Sequence, residues 1–308
     1  MNALDDIDRQ LIDLLRTDGR ATLSTLGDEL GVSRTTVQQR LQRLRDEGSA
    51  RVVGLVNPAL RGHSYILLLD IRVKNNAEAV ADAVAALPEA YFSATVKHSK
   101  LVLAQVALES GVAVRDFLND KVRTIEGVVD IRSDLILSTL SSSRSTKVDN
   151  WMKQWADSDA DSVKLDATDT VIVGELRRDG RATFASLARA CSLSTPAARQ
   201  RTLRLISEDI VRIRTLIAPD ILELHAPAAF SVHLSGNSRV AVGAIVKIPR
   251  VTHVSEVAGA NDIRGELYCR DELDLTRCVD ALKGVEGATV AAVHRYHYLA
   301  TPGGAWSD

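Results

Sequence analysis

The sequence predicts an α+β protein: two tandem copies of a helix-turn-helix (winged-helix-like) domain, each followed by a ferredoxin-like βαββαβ domain. Three observations carry this. First, shifting the 308-residue chain by 161 sets LRTDGRATLSTLGDEL (15–30) on LRRDGRATFASLARAC (176–191). The match runs ungapped from Leu4/Leu165 to Pro58/Pro219, with 20 identities in 55 positions. It still sets Leu87-Pro88 over Ile248-Pro249, then slips by one, with Glu126-Gly127 over Glu286-Gly287. Second, each half opens with apolar residues at helical spacing, punctuated by capping residues. Third, each half continues with strand-like runs separated by two helix-like ones.

In the first half, Ile7, Leu11, Leu14 and Leu15 recur at helical spacing after Asp5 and Asp6, which cap that helix. Thr17-Asp18-Gly19-Arg20 ends it, and a second short helix spans 23–30. Gly31-Val32 makes a tight turn. Ser33 then caps a third helix over 34–47, stopped by Gly48. An extended stretch over 50–56 follows. Beyond it, 65–73, 91–96, 101–108 and 128–137 read as strands, and 78–87 and 112–125 as helices. The order repeats from 228 to 298. The predicted domains are 1–50 and 164–211 (helical), 51–140 and 212–300 (sheet), a linker over 141–163, and a tail over 301–308. Serines and Asp157, Asp159 and Asp161 mark the linker as solvated. Trp151 and Trp155, four apart within it, fit either a helical turn anchored on a domain or a sticky patch.

Composition is that of a globular protein, with 45% hydrophobic and 25% charged residues. The longest apolar runs, such as 65–69, are far below the roughly 20 residues needed to span a bilayer. The first residues lack a basic segment and an apolar stretch, so no signal peptide and a cytoplasmic location are expected. Cys191, Cys269 and Cys278 are odd in number and form no CxxC, which reads as reduced thiols. Formal net charge is −2, so no basic field covers the whole chain.

The local charge differs. Residues 33–51 hold five Arg against Asp46 and Glu47, a net +3, and residues 194–212 hold four Arg against Glu208 and Asp209, a net +2. With Val37 toward the core, Thr35, Gln39 and Gln42 point away, flanked by Gln38 and Arg43. Gln pairs bidentately with adenine and Arg with guanine, so this face suits base edges in a major groove. Arg34, Arg45 and Arg51 are placed to reach phosphates. The candidate DNA-binding residues are Ser33, Arg34, Thr35, Thr36, Gln38, Gln39, Gln42 and Arg43, with Ser194, Thr195, Arg199, Gln200 and Arg204 in the second copy. Arg199 stands where Gln38 was, so the two heads differ in the bases they suit. One chain then acts as a covalent pseudo-dimer on an asymmetric pair of half-sites. The competing reading is a solvated helix face, with the second head mainly structural.

The stretch LDDIDRQLIDLLRTDGRATLSTLGDELGVSRTTVQQRLQRLRDEG resembles the helix-turn-helix of the Lrp/AsnC family of transcriptional regulators, and the βαββαβ that follows resembles its ligand-sensing domain. The resemblance covers nearly the whole chain, twice. It implies double-stranded DNA as partner and a small-molecule effector such as an amino acid. It also implies homo-oligomers formed through the sheet domains. In that family a Gly-x-x-Asp turn between the second and third strands lines the effector site. The second half keeps it as Gly259-Ala260-Asn261-Asp262, whereas the first half has His98-Ser99-Lys100-Leu101. The resemblance therefore nominates Gly259, Asn261 and Asp262 first, with His98 and Lys100 suiting an anion. The same residues also fit an ordinary hairpin turn.

No phosphate-binding glycine loop or nucleophile–base arrangement appears. His294 and His297, three apart on a strand, face opposite ways and make a poor metal pair. No cofactor, metal or catalytic residue is expected. Siroheme decarboxylases also resemble the family and occur as fused halves. The stretches TVKHSKLVLAQV and VAGANDIRGELYC lack the His/Arg/aromatic cluster those enzymes carry for the tetrapyrrole. The sequence reading is therefore a regulator and not an enzyme, with a decarboxylase-like enzyme as the alternative.

Overall fold

The computed structural model describes residues 4–56, 64–141, 165–301 and 304–307. The linker beyond Ser141, with Trp151 and Trp155, lies outside the described residues. In chain order the first half forms α1 (Asp6–Thr17), α2 (Leu23–Leu30), α3 (Arg34–Asp46), β1 (Ala50–Val56), β2 (Tyr65–Val73), α4 (Ala77–Ala85), β3 (Ala90–Val96) and β4 (Leu101–Leu108). Then come α5 (Gly111–Asp116), which continues as a π-helical turn over Phe117–Val122, and β5 (Val128–Ser141). The second half forms α6 (Ala167–Arg178), α7 (Phe184–Cys191), α8 (Thr195–Ser207), β6 (Val211–Ile217), β7 (Ala226–Leu234), α9 (Ser238–Ile245), β8 (Val251–Ala258), β9 (Ile263–Cys269), α10 (Glu272–Lys283) and β10 (Ala288–Thr301). The expected tail contains a short strand, β11 (Gly304–Ser307), paired back on β10.

The chain forms two compact units, and each draws on both halves of the sequence. One is Met1–Arg61 with Asp161–Ala218; the other is Gly62–Ala160 with Pro219–Asp308. Like therefore sits with like: the two helical heads share one unit, the two sheet domains the other.

In the helical unit each helix starts on a side-chain cap. Asp5, Thr22 and Ser33 accept from backbone N–H groups of α1, α2 and α3, and Asp166, Thr183 and Ser194 repeat this in the second head. Leu11, Leu15, Leu26, Val37 and Leu44 are buried in the first head. Each such side chain is worth about 1.5–3 kcal/mol when taken out of water. The heads join through β1 and β6, antiparallel from Ala50↔Ile217 to Val56↔Val211. Val56 packs into the second head's core with Ile172, Leu176 and Leu205. Arg20 donates to the carbonyls of Gly180 (2.6 Å) and Ala182 (3.1 Å), while Arg181 donates to those of Gly19 and Ala21 (both 2.7 Å).

In the sheet unit each copy has the strand order of a ferredoxin-like sheet, β3-β4-β2-β5 and β8-β9-β7-β10. The copies join twice, β5 on β8 and β10 on β3, so eight strands pair around a closed circuit. Helices cover one face of each sheet over cores that include Leu69, Ile71 and Phe117 in the first copy and Phe230, Ile263 and Leu267 in the second. On the other side, Ala94, Val96 and Leu103 meet Ala229 and Tyr296.

Candidate functional site

The third helix of each head carries the sequence-predicted reading face. Ser33 accepts from Thr36 N (3.1 Å) and pairs with its hydroxyl (2.8 Å), which fixes the start of α3. Arg34, Thr35, Gln38 and Gln39 are exposed, and Val37 and Leu44 are buried beneath them. Gln42 is exposed but engaged: its amide donates to Asp46 (2.8 and 2.9 Å), and its carbonyl accepts from Arg45 (2.6 Å). In α8, Ser194 accepts from Ala197 N, and Thr195, Arg199 and Gln200 are exposed. Arg199 lies over the Phe184 ring at 5.9 Å. Thr202, in the place of Leu41, is buried because its hydroxyl donates to Ala198 O (2.7 Å), which satisfies it within its own helix.

Arg43 and Arg204 are placed differently from the expectation. Arg43 donates to Asp8 of α1, and Arg204 donates to Asp169 of α6 (2.5 Å). Arg40 joins with bonds to Asp5 (2.8 Å) and Asp8 (2.7 Å), and Arg201 with bonds to Asp166 (2.6 Å) and Asp169 (3.0 Å). Asp8 and Asp169 are buried, so leaving either guanidinium partner unpaired would strand a charge in a low dielectric. These arginines clasp the third helix to the first instead of reaching for bases. The charge left outside this clasp shrinks accordingly. Without Arg40 and Arg43, Arg34, Arg45 and Arg51 stand against Asp46 and Glu47, a single net positive charge in place of +3. Arg51, expected at phosphates, sits half-buried on β1.

The Gly259–Asp262 turn connects β8 to β9. The space in front of Gly259 is filled by Asp134 of β5, from the other half of the chain. A Cβ on Gly259 would lie 2.2 Å from Asp134 Oδ1. That carboxylate accepts from Ala260 N (2.6 Å), Asn261 Nδ2 (2.8 Å) and Arg264 Nη1 (3.0 Å). Arg264 also donates to Asp70 (2.7 Å), and Asp134 is 2% exposed. Asp262 points elsewhere and accepts from Leu234 N (2.8 Å). The corresponding first-copy turn is open. His98 and Lys100 are exposed there and line a cavity of about 550 Å3 with Ser99, Thr95, Glu78 and His297.

Between the sheets lies a polar cluster that local sequence did not reveal. Glu266 accepts from Tyr296 OH (2.8 Å), and His253 Nδ1 lies 3.8 Å away. Burial, with the Glu266 charge beside them, pushes both Tyr268 and Tyr296 well above the usual phenol range. His294 lies near Asp70 and Arg264, and burial lowers its pKa. These residues come from β2, β8, β9 and β10, so no motif spacing brings them together.

The AsnC-type helix-turn-helix model matches residues 4–45 and 165–206, and the Lrp/AsnC ligand-binding domain model matches 66–146. The chain is 37% identical over 152 residues to the HTH-type transcriptional regulator LrpA of Mycobacterium tuberculosis, covering 46% of this chain and 95% of that protein. It is 27% identical over 136 residues to the regulator FL11 of Pyrococcus furiosus, covering 44% of this chain and 89% of that one. The solved structure of the siroheme decarboxylase NirDL matches with a TM-score of 0.58 at 12% identity, covering 94% of this chain and 90% of that chain. Exclusion of an enzyme, drawn from the sequence, therefore does not stand. The duplicated scaffold is also that of an enzyme, and a well-formed helical head says nothing about chemistry between the sheets.

Proposed function

The chain belongs to the Lrp/AsnC family of transcriptional regulators, and from that premise we propose that it binds double-stranded DNA sequence-specifically through both heads, under control of a small molecule. The observation that carries this is the pair of capped third helices in one unit, each exposing a polar face over a buried apolar one. Base reading falls to Thr35, Gln38 and Gln39 in the first head and to Thr195, Arg199 and Gln200 in the second. Ser33 and Ser194 position the helix starts, and Arg34 and Thr36 contact the backbone beside them. Because Gln38 is matched by Arg199, the preferred site is an asymmetric pair of half-sites. The sheet unit is the sensing part. The strand edges through which sheet domains would pair between chains are already paired within this one, so further assembly uses another face.

Selection of bound sequences from random duplexes, followed by anisotropy titration, tests this. The expected outcome is one asymmetric consensus, bound with salt-dependent affinity. A perfect palindrome sinks the two-reader scheme, and indifference to sequence sinks base reading altogether.

The fold match to siroheme decarboxylase, over nearly the whole chain, favours one second reading: catalysis on a tetrapyrrole by the sheet unit. Incubation with siroheme decides it. Carbon dioxide release with a changed absorption band supports the enzyme, and an unaltered siroheme spectrum removes it.

A further inference from the structure

The two heads share one template, so places where they differ in concert stand out. Along the 161-residue repeat, Arg199 on α8 replaces Gln38 on α3, and Phe184 at the start of α7 replaces Leu23 at the start of α2. The two changes meet in space. The Arg199 guanidinium lies 5.9 Å from the centre of the Phe184 ring, within reach of a cation–π contact.

Three arginines lie on α8, and two of them are spent. Arg201 donates to Asp166 and Asp169, and Arg204 donates to Asp169. Among the described residues Arg199 has no hydrogen bond or ion pair, and it is exposed. A guanidinium stacked on an aromatic face keeps its planar fork of donors for another partner. Phe184 is itself held by two neighbours. It packs against the second head's core, which includes Leu187 and Leu205. Arg20 of the first head lies 5.0 Å from the ring centre, fixed there by its bonds to the carbonyls of Gly180 and Ala182. The ring is therefore in place before DNA arrives. A long arginine side chain gives up rotamer freedom when it settles on one base, and a platform that narrows its choices beforehand lowers that cost. Leu23 offers no such face, and the first head carries the shorter Gln38.

We propose that Phe184 is the positioning residue behind the second head's base preference: its ring steers Arg199 onto guanine, at the half-site position where the first head, with Leu23 and Gln38, takes adenine. The inference rests on reading the third helices as base readers and deepens it. The partner is a major-groove guanine, selected by a stacked arginine and not by α8 alone.

Anisotropy titrations of the full chain test this, with duplexes that differ only in guanine or adenine at the position where the second half-site selects guanine. Arg199→Ala is expected to lower the guanine preference at least about fivefold with an unchanged salt slope. Phe184→Leu, which installs the twin's residue, should lower it about two- to fivefold and leave non-specific affinity unchanged. Phe184→Tyr keeps the ring and should keep the preference. In the first head, Gln38→Arg alone should gain a weak guanine preference, and adding Leu23→Phe should strengthen it about two- to fivefold. If Phe184→Leu does not fold, that second arm decides alone. An unchanged preference in Phe184→Leu, an equal loss in Phe184→Tyr, or no gain from Leu23→Phe overturns the proposal. Two failures are distinguishable. If Arg199→Ala abolishes the preference and Phe184→Leu keeps it, base reading stands and Phe184 has no part in it. If Arg199→Ala lowers the salt slope by about one and leaves the preference intact, Arg199 is a phosphate contact, and its role as a base reader falls as well.

Discussion

Asp8 is the residue on which the first head turns. It sits in the first turn of α1, where the helix dipole favours a negative charge, and it completes a capping box with Asp5. Arg40 and Arg43 then converge on it from α3. Asp8→Ala leaves two guanidinium groups without their buried partner. A loss of about 3–5 kcal/mol in urea unfolding is expected, and Asp169→Ala should behave alike. A loss below 1 kcal/mol in both would show the clasp to be ornamental. Gln39 is the opposite case: exposed, away from the clasp and free of structural duty. Gln39→Ala should leave stability within about 0.5 kcal/mol while costing about 1–3 kcal/mol of discrimination at one base, with an unchanged salt slope. Helical periodicity separated Val37 from Gln39 correctly, because it depends only on neighbours in sequence. It misplaced Arg43 and Arg204, because their partners lie 35 residues away on another helix.

At the scale of elements, the repeat's invariant Asp-Gly-Arg-Ala segments become intelligible. They look like loop punctuation after α1 and α6, but they form a contact between the heads. Arg20 and Arg181 cap each other's loops, and the glycines let those loops lie close on β1 and β6. A Cβ on Gly180 would stand 2.9 Å from Val53 C and N, which are backbone atoms with no freedom to retreat. Gly180→Ala should therefore destabilise by about 1–3 kcal/mol. Gly174, inside α6 with nothing within 4 Å of its added Cβ, gives the contrast. There, Gly→Ala should stabilise by about 1 kcal/mol. Chemical denaturation of both variants checks the pair, and equal signs would refute the packing argument. The one-residue slip in the repeat also finds its place. From the capping residue to the glycine before the last strand, Ser110 to Gly127 is one residue longer than Asp271 to Gly287. The first copy absorbs it as the π-helical turn over Phe117–Val122, and the second keeps a regular α10. Sequence periodicity reads both as plain helix, since one extra residue barely changes an apolar stripe.

For the whole molecule, duplication means that each copy uses its twin as its partner. Among the described residues β1 has only β6 beside it, and the first sheet ends on β3 and β5, which β10 and β8 complete. Their pairings link residues far apart in sequence, so element order was legible from the chain while this assembly was not. A first half expressed alone, residues 1–147, exposes three unpaired strand edges and leaves Val56 without its pocket. Exposed edges of this kind drive association. The repeat makes the best available partner a second copy of the same half. Sedimentation should find the isolated half as a homodimer at micromolar concentration, with the full chain sedimenting as a smaller number of chains per particle. Mixing the two isolated halves should give a heterodimer, because Glu256 with Ser138 and Arg264 with Asp134 form only across unlike copies. A stable monomeric half would show that the edges are not what holds the copies together. A homodimer that refuses to exchange would show that the divergence between copies does not select the unlike pair.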